Sequence, residues 1–433
     1  MKITSYSDLD PYFSDFQWSE ARKDQSALFI TGAEFQAHFL YFAGHTSQKR
    51  QALAECVELF NRHFAEHLEW GGYYDENGDG HYAEYKDPQM PTIRQVIAQN
   101  KDPDDFIEWY CASGDRDEAP EYMISAMTNR DWEGHNLYCS EIKFCVPNKL
   151  IFEPEMKKVL LDMIDTFIEK LGVYHAVAGI QSVLPYRPQG VGDYARLQAE
   201  RFLGIYMGAD STERNLIRNG IKSIDWFTYI SNTLAQRICS LTMFPKYCEL
   251  LKVKVQQKPH GFQFLLEEFP QILPQAEPIP DSYFNLNKAL RPLRNGAYWA
   301  ISKDVGKNYK VLDTDATRKW IRRLDAPGIF PDQGYYKEVP PKDKAVYLET
   351  GKACKVAGVY RYDDELDIDG KPVHAGHVKR TDYEENYTSD YRQHVVLLVG
   401  DIAPRFLAFF DHAELKEAKT VKWHLVSEII KVE

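Results

Sequence analysis

The sequence lacks the features of secreted and membrane-spanning proteins. Its seven cysteines are odd in number and form no CxxC pair, which is typical of a reduced, cytosolic chain rather than a disulfide framework. No apolar run approaches membrane-spanning length, since a clean run such as Val395–Val399 is only as long as a strand. The first residues contain no apolar segment of the signal-peptide type. We therefore expect a protein that works in the cytoplasm and does not insert into a membrane.

An excess of basic residues is also missing. The 433 residues include 64 acidic and 52 basic side chains, for a net charge of −12. A nucleic-acid-binding protein needs a basic surface that displaces counterions from phosphates, so this charge argues against nucleic acid as a partner. Acidity suits association with a basic protein, because complementary fields speed encounter, although ordinary solubility explains it equally well.

Recognisable cofactor motifs are absent. Gly190-x-Gly192-x-x-Ala195 imitates a dinucleotide fingerprint, but prolines precede it where a strand is required. The sequence contains no GxSxG elbow of the kind that carries a nucleophilic serine. We predict that the protein uses no cofactor.

One motif does suggest catalysis. His63-Phe64-Ala65-Glu66-His67 has the HxxEH spacing that places two imidazoles one helical turn apart, with a glutamate beside them as a base. The apolar residues around it explain the same helix as a core element, and we favour that interpretation. A zinc-dependent hydrolase built on His63, Glu66 and His67 stays open as an alternative.

Periodicity predicts an α+β fold for the first part of the chain. Apolar residues at helical spacing predict helices, Asn77-Gly78 between aromatic pieces predicts a β-hairpin, and alternating or continuous apolar runs predict strands. The expected order is helix 46–68, hairpin 71–85, strand 137–146, helix 154–171, strand 174–184 and helix 194–202. This order implies an antiparallel or mixed sheet with helices on one side.

The composition and hydrophobic pattern of the sequence change twice after this α+β part. Five prolines between 256 and 285 predict a linker or a surface strap without regular elements. From residue 286 onward the pattern is mostly β and predicts a smaller domain. We therefore divide the chain into an α+β domain (1–255), a strap (256–285) and a β-rich C-terminal domain (286–433). The strands expected in the last domain are 297–302, 345–349, 358–362, 394–399, 406–410 and 421–432, with one helix at 314–324.

The segment Gly204–Ile238 is the most informative part of the sequence. The apolar residues of its second half recur every four positions, at Trp226, Ile230, Leu234 and Ile238. This spacing predicts an amphipathic helix, with Ser223 or Asp225 as its N-cap.

This segment resembles the middle of the type VI secretion immunity family, bacterial proteins that bind and silence a co-encoded toxin. The residues that carry the resemblance are Gly204, Ile221, Lys222, Ile224, Trp226, Phe227, Ile230 and Leu234. Supporting pieces occur upstream in the same order, and the resemblance covers about 34–238. These pieces are Lys49-Arg50, Phe60, Phe64, Leu68-Glu69-Trp70 and Gly179-Ile180.

The resemblance implies a non-catalytic inhibitor. Such a protein would dock on the cognate effector toxin, for example a nuclease domain with a basic substrate groove, and occlude or distort its active site. A scaffold protein with no toxin partner is the other alternative. Oligomeric state is not indicated by the sequence.

Three acidic clusters are candidates for a contact surface, although a charge run is usually a solvated face. They comprise Asp102, Asp104, Asp105 and Glu108; Asp363, Asp364, Glu365, Asp367 and Asp369; and Asp382, Glu384 and Glu385. The second cluster lies at an expected hairpin tip and can protrude. We therefore predict that Asp363, Asp364, Glu365, Asp367 and Asp369 bind the partner.

Overall fold

The structure is a computed structural model of the whole chain. It describes residues 2–16, 18–21, 27–75, 77–135, 138–186, 192–207, 220–296, 312–327, 329–331, 336–343, 345–367, 369–373, 375–378, 387–390, 392–409 and 415–431. The expected strand at 297–302 and the acidic cluster of Asp382, Glu384 and Glu385 lie outside the described residues.

A single antiparallel sheet of eleven strands dominates the described residues. Its strands are β1 (Trp18–Ala21), β2 (Ala27–Tyr41), β3 (Trp70–Tyr74), β4 (Gly80–Glu84), β5 (Glu108–Ala112), β6 (Met123–Met127), β7 (Ser140–Val146), β8 (His175–Val183), β9 (Phe227–Ser231), β10 (Gln256–Lys258) and β11 (Gly261–Leu265). The spatial order is β10-β11-β9-β8-β2-β7-β6-β5-β3-β4, and β1 pairs with β2. The predicted α+β class is confirmed, and the sheet is antiparallel.

Helices are distributed along the chain between these strands and beyond them. Their bounds are α1 (Phe13–Phe16), α2 (Ser47–Phe64), α3 (Ile93–Gln99), α4 (Asp131–His135), α5 (Lys149–Phe152), α6 (Pro154–Leu171), α7 (Gly192–Arg201), α8 (Asn232–Ile238), α9 (Phe244–Leu250), α10 (Asp281–Leu290) and α11 (Thr314–Ile321). None of the helices in the described part of the chain is both long and apolar enough to cross a bilayer.

Helices α2 and α6 cover one face of the sheet. Their apolar stripes, including Phe60 and Phe167, pack in one core with side chains of β2, β5, β6 and β7. Burying a phenylalanine contributes about 1.5–3 kcal/mol, so these stripes hold the helices on the sheet. Helix α6 has the predicted bounds because Pro154 lies in its first turn and Gly172 ends it in the left-handed region, with φ of 58°.

The opposite face is covered over one half of the sheet only. There a second core joins β2, β8, β9 and β11 to helices α7 to α11, with Trp320 of α11 completely buried. Over the other half, at β3 to β7, a small cluster of Trp70, Tyr110, Ala112, Met123, Cys145 and Val183 lies on this face instead. Loop residue Ala119 and Tyr186 pack against that cluster.

The predicted amphipathic helix at Trp226–Ile238 is wrong in its first half. Phe227–Ser231 is strand β9, which pairs with β8 on one side and β11 on the other, and the helix α8 begins only at Asn232. Ser231 caps that helix by accepting a hydrogen bond from the Leu234 N–H at 3.3 Å. A central strand is buried on both faces, so its apolar residues need not alternate and they imitate a helical repeat.

Regular elements also occur where the prolines predicted none. Strands β10 and β11 form a hairpin between 256 and 265 that extends the main sheet, and α10 begins at Asp281. Phe262 and Phe264 are completely buried in the core beneath it. The prolines therefore flank the elements rather than interrupt them. The division into three domains stays a prediction.

The C-terminal part is β-rich, as predicted. Its strands are β12 (Tyr336–Val339), β13 (Tyr347–Glu349), β14 (Gly358–Arg361), β15 (Ala375–Val378), β16 (Tyr387–Asp390), β17 (His394–Leu397), β18 (Phe406–Phe409), β19 (Leu415–Lys419) and β20 (Lys422–Lys431). Strand β20 pairs with β12, β13 and β14 in a five-stranded sheet, which β17 completes. Trp423 is completely buried in its core.

A buried ionic cluster connects the C-terminal part to the preceding helices. The carboxylate of Asp325 lies 2.6 Å from a guanidinium nitrogen of Arg294 and 3.5 Å from one of Arg291. Arg291 also lies 2.9 Å from the carboxylate of Asp401, in the loop after β17. Burial alone would raise the pKa of Asp325, but the two guanidiniums hold it below its ordinary value.

Candidate functional site

The HxxEH residues do not lie on one continuous α-helix. Helix α2 ends at Phe64, and residues 65–67 form a 3-10 turn. The ring of His67 stacks on Tyr122 with 4.2 Å between centroids, and its Nε2 lies 3.6 Å from the carboxylate of Glu66. Within the described ranges, three or more His, Cys, Asp or Glu side chains nowhere gather in a group suited to a metal ion.

The acidic tip, defined as Asp363–Asp369, contains residues with two different roles. Asp363 is paired with cations: its carboxylate lies 2.6 Å from Arg361, 3.2 Å from Arg392 and 2.7 Å from the imidazole of His424. Glu365 is only 4% exposed and accepts a hydrogen bond from a backbone N–H at 2.5 Å. These two carboxylates therefore hold the local structure together.

The remaining acids of the tip lie at the surface. Asp364, Asp367 and Asp369 are exposed, and Leu366 among them is 54% exposed. Asp367 also shapes the turn, because its carboxylate accepts from the backbone N–H groups of Asp369 and Lys371 at 3.0 and 2.8 Å. Of the five residues predicted to bind a partner, three are placed where a partner can reach them.

The cluster at 102–108 surrounds a structured loop. Arg50, which is 3% exposed, donates to the backbone carbonyls of Asn100, Asp102 and Asp105 at 2.7–3.0 Å. Asp102 and Asp104 are exposed, whereas Glu108 accepts a hydrogen bond from the Tyr186 hydroxyl at 2.8 Å. This cluster is thus divided between two different surfaces.

Four aromatic rings gather on the sheet face opposite α2 and α6. We call Trp70, Tyr82, Tyr110 and Tyr186 the aromatic floor. Their ring centroids are 4.7 Å apart for Tyr110 and Tyr186, 5.1 Å for Trp70 and Tyr110, and 5.8 Å for Tyr82 and Tyr186. Rings at such separations attract each other by about 0.5–1.5 kcal/mol beyond their burial, so the floor is a rigid surface.

Above part of this floor lies a cleft of about 740 Å³. Trp70 and Tyr82 line it, together with exposed side chains of both signs: Glu66, Glu69, Glu84, Asp115, Lys86 and Arg116. The guanidinium of Arg116 lies over the Tyr82 ring, 5.0 Å from its centroid. We call this region the aromatic cleft. Acidic side chains outnumber basic ones in its lining, four to two.

Buried acids elsewhere have raised pKa values. Burial raises the pKa of Asp225 to about 7, although the Trp226 N–H and the Gln181 amide donate to its carboxylate. Burial also raises the pKa of Glu34, in β2, to about 8, against the effect of a hydrogen bond from the Asn148 N–H. In both cases the loss of solvation is the larger effect.

Comparison with known proteins shows the family to which the chain belongs. The family described as TsiV, type VI immunity for VRR-NUC, matches residues 52–324. The chain belongs to this family. The predicted recognition as a type VI secretion immunity protein is therefore confirmed. No curated protein matches the chain.

The fold of this TsiV-family member is shared with a solved structure. The Pseudomonas aeruginosa T6SS protein PA0821 superposes with a TM-score of 0.64 at 20% sequence identity. The likeness covers 74% of this chain and 91% of that one. At this identity it shows a common fold.

Most residues that carry the family resemblance belong to the core. Trp226, Phe227, Ile230 and Leu234 have no exposed surface. Lys222 is 1% exposed, and its ammonium donates to the Met207 carbonyl at 3.0 Å and lies 4.5 Å from the Tyr206 ring centroid. In this chain these residues therefore have a packing role.

The segment that matches the family contains one of the two candidate surfaces and not the other. Every residue of the aromatic cleft and its floor falls within 52–324, whereas the acidic tip follows that segment. Sequence reasoning singled out the tip and missed the cleft. The aromatic hairpin around Asn77-Gly78 was the part of the cleft that the sequence indicated. Tyr186 lies about a hundred residues further along the chain and packs against this hairpin only because the sheet folds.

Proposed function

We propose that this chain neutralises the nuclease domain of a type VI effector by binding it and blocking its substrate groove, with no bond made or broken by the immunity protein. The match to the type VI immunity family for VRR-NUC is the observation that carries this proposal. The description of this family names a nuclease, and a nuclease needs a basic groove to bind the phosphates of its substrate. The net charge of −12 gives this chain a complementary field.

We propose that the encounter takes place in the cytoplasm, because the family is described as immunity for a nuclease. Nucleic acid is the substrate to be protected, and an inhibitor protects it best where the toxin would reach it. Binding has to be tight, because free toxin would kill the cell that makes it. Tight, stoichiometric inhibition requires a central anchor as well as charge, since exposed charges contribute more to rate and selectivity than to affinity.

We further propose that the acidic tip attracts the effector before contact. Asp364, Asp367 and Asp369 are exposed at a turn, so their charge reaches into solvent. At physiological ionic strength this field extends about 8 Å from the surface. Asp363 and Glu365 would contribute indirectly, by holding the turn in place.

Co-expression tests the proposed function. Cells that produce the VRR-NUC effector domain encoded beside this gene should survive when this chain is present and die when it is absent. With purified proteins, nuclease activity should fall linearly with added inhibitor and end at one equivalent. The double variant His63→Ala and His67→Ala should protect as well as the wild-type chain. Loss of protection in that variant, with an unchanged melting temperature, would instead support the zinc hydrolase.

A further inference from the structure

We infer that the aromatic cleft is the docking site for the effector, and that its occupant is a segment of the nuclease domain carrying an arginine or lysine side chain. This inference rests on the proposed function and adds the surface and the chemistry of the contact. The cationic side chain would enter beside the Tyr82 ring, with its charged end among the carboxylates of the lining.

The cleft exists because the sheet is covered unequally. Helices α2 and α6 pack on one face along β2 to β7, whereas the hydrophobic cluster on the other face, over β3 to β7, consists of the aromatic floor, a few smaller strand side chains and Ala119 of the loop 113–121. Strand β4 is the last strand of the sheet order, so the cleft that it lines lies at an edge of the sheet. A protruding segment of another protein can therefore enter it without displacing a helix.

The aromatic floor is already in a binding-ready arrangement. The Tyr186 hydroxyl donates to Glu108 at 2.8 Å, and its ring packs 4.7 Å from Tyr110 and 5.8 Å from Trp70. Trp70 is 7% exposed, and its indole N–H has no acceptor among the described residues. A rigid floor reduces the conformational entropy lost on binding, which favours a tight complex.

The chemistry of the occupant follows from Arg116 and the acidic lining. The Tyr82 ring already binds a guanidinium of this chain at 5.0 Å, so its face suits a cation. Glu66, Glu69, Glu84 and Asp115 are exposed around it, and two basic residues leave an excess of two negative charges. An entering arginine would contact the ring through its stem and guanidinium and pair with these carboxylates.

Family membership favours this surface over the acidic tip. The cleft lies within the segment that matches the immunity family, and the tip does not. A contact surface that serves the function of the family belongs in the shared segment. The tip and the cleft then have separate roles, attraction by the tip and tight contact by the cleft.

The test compares charge reversals in the cleft with charge reversals on two helices that do not line it. We would measure the affinity of the full chain for the purified VRR-NUC domain after Glu84→Lys with Asp115→Lys, and after Glu169→Lys with Glu249→Lys. Both pairs change the net charge equally, but Glu169 lies on α6, across the sheet, and Glu249 on α9. We expect the cleft pair to weaken binding about 30-fold or more, as for hot-spot residues, and the control pair by less than about threefold.

A second comparison separates the ring from the charge. Tyr82→Ser removes a floor ring, whereas His81→Ala removes the neighbouring ring of the same strand, which stacks on Tyr73 on the other face. Binding should weaken strongly for the first change and little for the second. Equal binding by all four variants, while the wild-type chain still inhibits, would overturn the cleft inference and leave the proposed function standing.

A footprint of the wild-type complex does not depend on the variants folding. Carbodiimide labelling of Glu66, Glu69, Glu84 and Asp115 should fall when the nuclease domain binds, while Glu169 and Glu249 stay reactive. Unchanged labelling of the cleft in a formed complex would contradict the inference. If the cleft carboxylates of the free chain are protected from labelling and lose this protection on dilution, a second copy of this chain occupies the cleft. That result would also contradict the inference. Failure of the wild-type chain to bind at all would reject the proposed function instead.

Discussion

At the scale of single residues, Asp225 shows the cost of placing a carboxyl group inside the core. It is 3% exposed, and the positive charge of Arg323 opposes the effect of this burial on its pKa. Gly179 of β8 leaves the space that its carboxylate occupies, because a Cβ there would collide with it. The glycine that carries part of the family resemblance therefore has a packing role.

The raised pKa of Asp225 predicts that stability falls as pH rises. The folded protein keeps the proton up to about pH 7, whereas the unfolded chain releases it near the ordinary value of 3.8. Between these values folding binds a proton, so the free energy of unfolding decreases with increasing pH. From pH 5.5 to 8 the expected loss from this group is about 2 kcal/mol.

Urea unfolding of Asp225→Asn checks this sign. The asparagine does not titrate, so the decrease between pH 5.5 and 8 should shrink by about 2 kcal/mol relative to the wild-type chain. The part that remains would come from groups such as Glu34, whose pKa is also raised. Identical pH profiles for the two proteins would show that Asp225 is ionised in the folded state throughout this range.

At the scale of elements, local sequence signals predicted some segments well and others poorly. Helix α6 was predicted to the residue because Pro154 and Gly172 mark its ends within the sequence itself. Strand β9 was predicted as a helix because its identity depends on β11, which follows about thirty residues later and pairs with it. The acidic tip was predicted as one unit, although pairing with Arg392 and His424 separates Asp363 from the exposed acids.

Gly204 marks a place where two segments approach closely. Its N–H donates to the Ile272 carbonyl at 2.8 Å, and a Cβ would collide with the backbone carbonyl of Gln271. We expect Gly204→Ala to reduce the free energy of unfolding by about 1–3 kcal/mol, because backbone has to move.

Gly32→Ala is the matched control for that substitution. A Cβ at Gly32, in β2, meets nothing closer than Ala119 at 3.9 Å, which is ordinary contact. Its stability should change by less than about 0.5 kcal/mol. Urea unfolding measures the free energy of unfolding of both variants. If both lose a comparable amount, the close approach of the backbone at Gly204 does not explain the loss.

At the scale of the whole molecule, charge and shape make separate contributions to binding. A net charge of −12 acts over distance, whereas the aromatic cleft acts only on contact. If the tip attracts the effector, Asp364→Asn with Asp369→Asn should slow association about threefold near 50 mM salt and leave dissociation unchanged.

Stopped-flow measurements at low and high salt check the proposed role of the tip. The difference in association rate should disappear at 1 M salt, where fields reach only about 3 Å. Glu169→Gln with Glu249→Gln removes the same charge from α6 and α9 and is the matched control. A faster dissociation in the tip variant would make the tip part of the tight contact.

The carboxylates that neutralise Arg291 and Arg294 both lie beyond the family match: Asp325 follows its last residue, and Asp401 belongs to the loop after β17. A fragment cut at residue 324 would keep both guanidiniums and lose Asp325 and Asp401, which are their anionic neighbours within 4 Å in the described chain. Two cations would then remain inside a core without counter-charge, at a cost of several kcal/mol. We therefore expect the segment that identifies this immunity protein to be less stable as a fragment than within the whole chain.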